Sequence, residues 1–164
     1  MSSNRFRLNP SKTKFLWYAT SRRIHQIDDG SFHVSDVDVK PSQDVRNLGV
    51  MMDGDLSMTA HVNKIISQCF YLLRKIKWIR SSLSTDATVT LVTSLICSRI
   101  DYCNTVFAGL PNCTIDRLQS VLHAAARIIM GMWKYDHIIP TLRDELHWLP
   151  VMQRITFKLW VTVY

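Results

Sequence analysis

The spacing of hydrophobic positions changes once along the chain, near residue 56. Before that point apolar side chains come in short runs or near-alternation: Phe15-Leu16-Trp17-Tyr18 is one run, Phe32, Val34, Val37 and Val39 nearly alternate, and Leu48-Gly49-Val50-Met51-Met52 reads as another buried strand. Short runs and a period of two predict strands, and Asp28-Asp29-Gly30-Ser31 supplies a turn among them. From Leu56 onward the period becomes 3.6. Val62, Ile65, Ile66, Cys69, Leu72, Leu73, Ile76 and Ile79 share one face of a first helix. Ser84 or Thr85 can cap a second, running to about Val106 with Leu91, Val92, Leu95, Ile96 and Cys103 inward. Thr114 can cap a third, with Leu118, Val121, Leu122, Ala125 and Ile128 or Ile129 as its inner stripe and Gly131 at the left-handed stop position. A short fourth helix covers about Ile139 to His147, and Pro150 suits the first turn of a fifth that runs to Tyr164 without a polar stop signal. The expected class is therefore α+β: a β-rich piece over residues 1–55, then about five helices over residues 56–164.

Composition adds a sign to this picture. The chain has 164 residues, 47% of them hydrophobic, enough for one ordinary domain with a core. Lys and Arg outnumber Asp and Glu by 20 to 13, and the excess is uneven: residues 1–55 carry a balance of +1, residues 56–164 a balance of +6. The positive field belongs to the helices. Polar residues interrupt every apolar stretch of membrane-spanning length, and the first residues lack a signal-peptide pattern, so an intracellular location, nuclear or cytoplasmic, is expected. Cys69, Cys97, Cys103 and Cys113 lie among apolar helical residues without tight pairing, which fits reduced core thiols.

Few local patterns suggest chemistry. Asp53-Gly54-Asp55 has the look of a cation loop but lacks a glutamate at the twelfth loop position, so a turn ahead of a helix is the simpler reading. Cys103, Cys113 and His123 lack the close pairs that zinc sites use, which leaves core cysteines and a surface or capping histidine. No metal ligands are expected in this chain. Asp101-Tyr102 could be an acid beside a phenol, although a buried tyrosine with its hydroxyl satisfied nearby is the favoured reading. The first helix is more informative. Lys64, Gln68, Tyr71, Lys75 and Trp78 recur at helical spacing opposite the apolar stripe, Arg74 flanks them, and Lys77 and Arg80 follow; no acid occurs between Asp55 and Asp86. Cations that neutralise phosphates beside aromatics that stack on bases are what a nucleic-acid track needs. A solvated helix face whose aromatics pack elsewhere is the rival interpretation.

Several phrases then occur together in a fixed order. They are Leu8-Asn9-Pro10-Ser11-Lys12-Thr13-Lys14, Asn47-Leu48-Gly49-Val50, Leu56-Ser57 with His61, Ser98-Arg99-Ile100-Asp101-Tyr102-Cys103-Asn104, Ala108-Gly109-Leu110-Pro111, Leu118-Gln119 with Ala124 to Arg127, and Leu146-His147-Trp148-Leu149-Pro150. In this order the chain resembles the C-terminal part of a reverse transcriptase from a non-LTR (LINE-type, jockey-like) retrotransposon. The resemblance implies that residues 1–55 are the end of a polymerase palm and residues 56–164 a thumb-like region, and it marks Asn9, Lys12, Leu48, Gly49, His61, Asp101, Tyr102, Cys103, Trp148 and Pro150 as family positions.

In that family, carboxylates on palm strands hold two magnesium ions that activate the primer hydroxyl and stabilise the departing pyrophosphate. The family's paired aspartates precede the first shared block, whereas Asp28-Asp29 follows it with a turn glycine attached, so these two are expected to be a solvated turn. The resemblance thus implies a fragment without the catalytic pair and without a cofactor of its own. Such a fragment is not an enzyme by itself. Its expected partners are RNA or an RNA:DNA duplex, gripped without sequence choice, and the palm and fingers of the parent polymerase. The alternative expectation is a nonfunctional remnant or a helical protein-interaction module.

Overall fold

The computed structural model describes residues 9, 11–19, 23, 30–34, 37–133 and 135–164, so the expected turn at Asp28-Asp29 lies outside the described residues. The chain divides into two compact units, Met1–His61 and Val62–Tyr164. The boundary falls six residues beyond the change in hydrophobic period.

In the first unit, β1 (Phe32–Val34) pairs antiparallel with β2 (Val37–Val39), and β3 (Asp44–Asn47) with β4 (Val50–Asp53). Leu48 and Gly49 join the second pair with φ of 46° and 90°. Both values are positive, as the tightest hairpin turns require. This corrects the expectation of a strand over Leu48 to Met52: the strand begins at Val50, which is buried, while Leu48 stands 83% exposed at the turn. Phe15 to Tyr18 is not a strand either. Phe15 makes an isolated parallel bridge to Pro41, its carbonyl accepts from Ser42 N at 2.8 Å, and its ring lies edge-on to Trp17 at 4.8 Å. Aromatic contacts and one bridge hold this run, in place of a ladder.

The second unit contains most of the helix. Helix α1 (Thr59–Ile79) starts at the end of the first unit and buries Val62, Ile65, Cys69, Leu73 and Ile76 at the expected spacing. Ile79 is exposed because a 3-10 turn over Arg80–Ser82 takes the chain off the axis there. Ser84 then caps α2 (Thr85–Val92) by accepting from Ala87 N at 3.2 Å. A single π-helical turn (Thr93–Cys97) leads into α3 (Ser98–Asp101).

The second helix was expected to run to Val106, but it stops at Asp101. Tyr102 turns extended and Cys103 takes a left-handed φ of 50°, and both are exposed, so neither the inward Cys103 nor the buried Tyr102 expected from the sequence is found. After a 3-10 turn at Asn104–Phe107, α4 (Asn112–Met130) begins two residues ahead of the expected cap Thr114, directly after Pro111, whose fixed φ of −56° is already helical. Gly131 ends it in the left-handed region at φ 66°. A π-helical turn (Thr141–Glu145) occupies the expected fourth helix, and Pro150 immediately precedes α5 (Val151–Val163).

One hydrophobic core joins α1, α2, the π-helical turn, α3, α4 and the start of α5, with Phe107, Leu118, Leu122 and Ile129 at its centre. Fully burying each such side chain contributes about 1.5–3 kcal/mol, which is why periodicity alone locates α1 and α4. The ensemble of antiparallel hairpins followed by packed helices is an α+β arrangement. Among the described residues, no helix is long and apolar enough to cross a membrane.

Candidate nucleic-acid interface

Helix α1 is seated by the acidic turn before it. Asp53 Oδ2 accepts from Ser57 Oγ at 2.6 Å and Oδ1 from Met58 N at 3.0 Å, while Ser57 Oγ accepts from Thr59 N at 3.3 Å. Burial by itself raises the Asp53 carboxyl, but the hydrogen bonds from Ser57 and the backbone of Met58 outweigh it and hold the group below its ordinary value. Asp53-Gly54-Asp55 therefore works as a turn and helix start, as its sequence suggested.

Along the solvent side of α1, Lys64, Gln68, Tyr71, Arg74, Lys75 and Trp78 are all exposed. Trp78 is 87% exposed and Tyr71 52%. The Lys75 ammonium sits 4.6 Å from the centroid of the Tyr71 ring, a cation–π contact of about 0.5–1 kcal/mol at this exposed site. Lys77 is exposed too, but by helical geometry it falls roughly 140° around the axis from Lys64, on the flank of the face.

Tertiary structure changes the cation inventory in both directions. Arg80 leaves the face: its guanidinium donates to the carbonyls of Ile128 (3.1 Å), Ile129 (2.7 Å) and Leu83 (3.0 Å), so its task is to close the end of α4. Two arginines join it. Arg99 of α3 donates to Gln68 Oε1 at 3.2 Å, and Arg117 of α4 donates to Asn63 Oδ1 at 2.5 Å, placing one guanidinium on each side of α1. Sequence reasoning missed both, since they lie 31 and 54 positions from the residues they touch. No local pattern announces them; the only available signal was the positive balance of the whole helical half.

The positions that the resemblance marks serve mainly as architecture. Asn9 closes a turn by accepting Ser11 N and Ser11 Oγ on its Oδ1, with Lys12 exposed beside it. Leu48 and Gly49 make the hairpin turn. His61 is buried, and its Nδ1 accepts from Met51 N at 3.4 Å. Asp101 is ion-paired with Arg154 of α5 at 2.7 Å, so it is not an acid available to Tyr102. Trp148 is half-buried against the main core and against a smaller cluster of Ala126, Ile138 and Leu142, and its backbone N–H donates to Leu142 O at 2.8 Å. With Pro150 it borders a cleft of about 730 Å³ between α4, the 139–149 segment and the start of α5. His123, expected at the surface, lines this cleft half-buried, and burial together with the Arg127 charge pushes its pKa down.

The cysteines divide in two. Cys69 and Cys97 are core thiols that burial pushes up to about 11, whereas Cys103 and Cys113 are exposed, against the expectation that all four are core residues. Among the described residues, no three His, Cys, Asp or Glu side chains come together as metal donors. Of the carboxylates singled out above, Asp53 is engaged by Ser57 and Met58, and Asp101 by Arg154 through one of its oxygens. Comparison with family models, with curated proteins and with solved structures returns no match for this chain.

Proposed function

We propose that this chain corresponds to the end of the palm and the thumb-like helices of a non-LTR retrotransposon reverse transcriptase, and that it binds RNA or an RNA:DNA duplex without sequence choice while polymerising nothing on its own. The observation that supports the binding is the outer face of α1. It carries Lys64, Arg74 and Lys75 with an almost bare Trp78, gains Arg99 and Arg117 from two neighbouring helices, and contains no acid. Cations contact phosphates and the indole stacks on bases, and neither interaction reads sequence.

Five cations each meeting one phosphate give a salt slope of about −4 to −5 in logarithmic units, so raising salt from about 50 to 200 mM weakens duplex binding about five-hundredfold. Titration of the folded chain with a labelled RNA:DNA duplex at several salt concentrations measures this. Changing Lys64 and Lys75 together to Gln lowers the slope by about two contacts. Equal affinity of wild type and this double variant at low salt, both folded by circular dichroism, refutes the reading. Catalytic silence is tested separately with a primed RNA template, magnesium and nucleotides. Extension that disappears on replacing Asp28 or Asp29 overturns the proposal that no polymerase centre is present.

A further inference from the structure

Helix α5 turns an apolar side toward solvent. Only Val151 and Ile155 enter the core, and they share one side. The opposite side, at about 100° per residue, collects Gln153, Thr156, Phe157, Trp160 and Tyr164, with Met152 at its edge, and no charge; Arg154 and Lys158 fall outside it. Phe157 and Trp160 are each 61% exposed and Tyr164 96%. The Trp160 and Tyr164 rings stack on each other with centroids 6.2 Å apart. At its other end the same strip runs through Met152 into the cleft of about 730 Å³, whose walls include Ile115, Leu142 and Trp148. One helix thus presents a projecting aromatic end and, about 20 Å away at about 1.5 Å per residue, an apolar recess.

We propose that the occupant of this recess is a second copy of the chain, joined across a two-fold axis with α5 packed antiparallel on the partner's α5. A two-fold interface must be self-complementary, and antiparallel pairing centred near Thr156 brings each aromatic end to the other copy's recess. Charge favours the same surface. A chain of formal charge +7 carries a net repulsion against its own copies, whereas this strip is uncharged and the recess it meets adds one acid and one base, Asp116 and Arg143, which cancel. The area also suffices. At about 150–250 Å² per aromatic, discounted for the exposures above, Phe157, Trp160 and Tyr164 supply roughly 450 Å². Leu149, Met152, Val163 and Ile139, between 43% and 81% exposed, bring the total close to the about 800 Å² each partner contributes to a standard interface.

Sedimentation equilibrium of the whole chain tests this. The expected mass at micromolar concentration is twice 19.0 kDa. Trp160→Glu weakens self-association about a hundredfold, in the range a central aromatic carries, whereas Trp133→Glu, at a bare tryptophan off the strip, leaves it unchanged. Thr156→Cys, in a chain with Cys103 and Cys113 changed to Ser, forms an interchain disulfide on mild oxidation because the two thiols face each other at the axis. A chain that stays monomeric throughout the micromolar range, a dimer indifferent to Trp160→Glu, or a Thr156→Cys chain that does not cross-link overturns the proposal.

Discussion

Arg80 offers the sharpest test of how this fold is held, because one side chain answers for several backbone groups. The last carbonyls of α4 need partners that the helix cannot supply. Arg127 O receives the N–H of Gly131 and of Met132, the latter at 2.9 Å, while Ile128 O and Ile129 O receive the Arg80 guanidinium. The same group also reaches Leu83 O and, at 3.3 Å, Thr85 Oγ1, tying the end of α1 and the start of α2 to the end of α4. Hydrogen bonds from a charged donor contribute about 1.5–3 kcal/mol each, and a cation at a helix C-terminus up to about 2 kcal/mol. These terms are not additive, and water reaches part of the site. Arg80→Ala is therefore expected to cost about 2–4 kcal/mol in total. Arg80→Lys restores the charge without the planar fork and recovers about half. Urea unfolding followed by circular dichroism reads both, as a lower midpoint at unchanged slope. A loss within about 0.5 kcal/mol for Arg80→Ala, the scatter of ordinary surface substitutions, refutes the reasoning. So would an unaltered fold whose nucleic-acid salt slope falls by one contact, since that is the behaviour of a phosphate ligand.

Three further outcomes follow from geometry. Trp78→Ala weakens binding of an RNA:DNA duplex by about 1–3 kcal/mol with the salt slope unchanged, while Tyr71→Ala costs less because the Lys75 ammonium already lies over its ring; fluorescence titration of both variants compares them. Asp53 has a folded pKa below its unfolded value of 3.8, so its stabilisation is complete above that pH and is lost as pH falls through the lower folded value; Asp53→Asn removes this acid dependence of amide protection at Met58 and Thr59, measured by hydrogen exchange. Cys103 and Cys113 react with a thiol reagent in the native chain, whereas Cys69 and Cys97, buried and raised to about 11, react only on unfolding; mass spectrometry counts two labels before denaturation and four after.

Helices α1 and α4 were legible in the sequence because each buries a long stripe at one unbroken period, and Gly131 because only a residue free at positive φ ends a helix in that way. The hydrophobic pattern carries the helix after Ser84 past Asp101 for a physical reason. Its apolar residues keep coming, but a π-helical turn alters their phase and backbone geometry at Tyr102 and Cys103 ends the helix. Leu48 reads as a strand residue in the sequence because leucine at a left-handed turn position carries none of the usual Asn or Gly signal. At the candidate interface, the α1 residues are readable from helical spacing. The removal of Arg80 and the arrival of Arg99 and Arg117 are not, because each depends on a partner in another element, which spacing cannot encode.

The π-helical turn at Thr93–Cys97 also governs how this chain should be lined up with any other. Such a turn accommodates one residue more than an α-helical turn, and everything after it is rotated by about 100° and displaced by about 1.5 Å relative to an uninterrupted helix. Arg99 reaches Gln68, and Asp101 reaches Arg154, only in that shifted frame. An alignment without a gap against a straight helix runs out of step from Ser98 onward and matches these residues to positions that point elsewhere. Deleting one residue between Thr93 and Cys97 is the experimental counterpart: the helix closes into a regular spiral, while the guanidinium beside α1 and the carboxylate facing α5 both swing away from their partners.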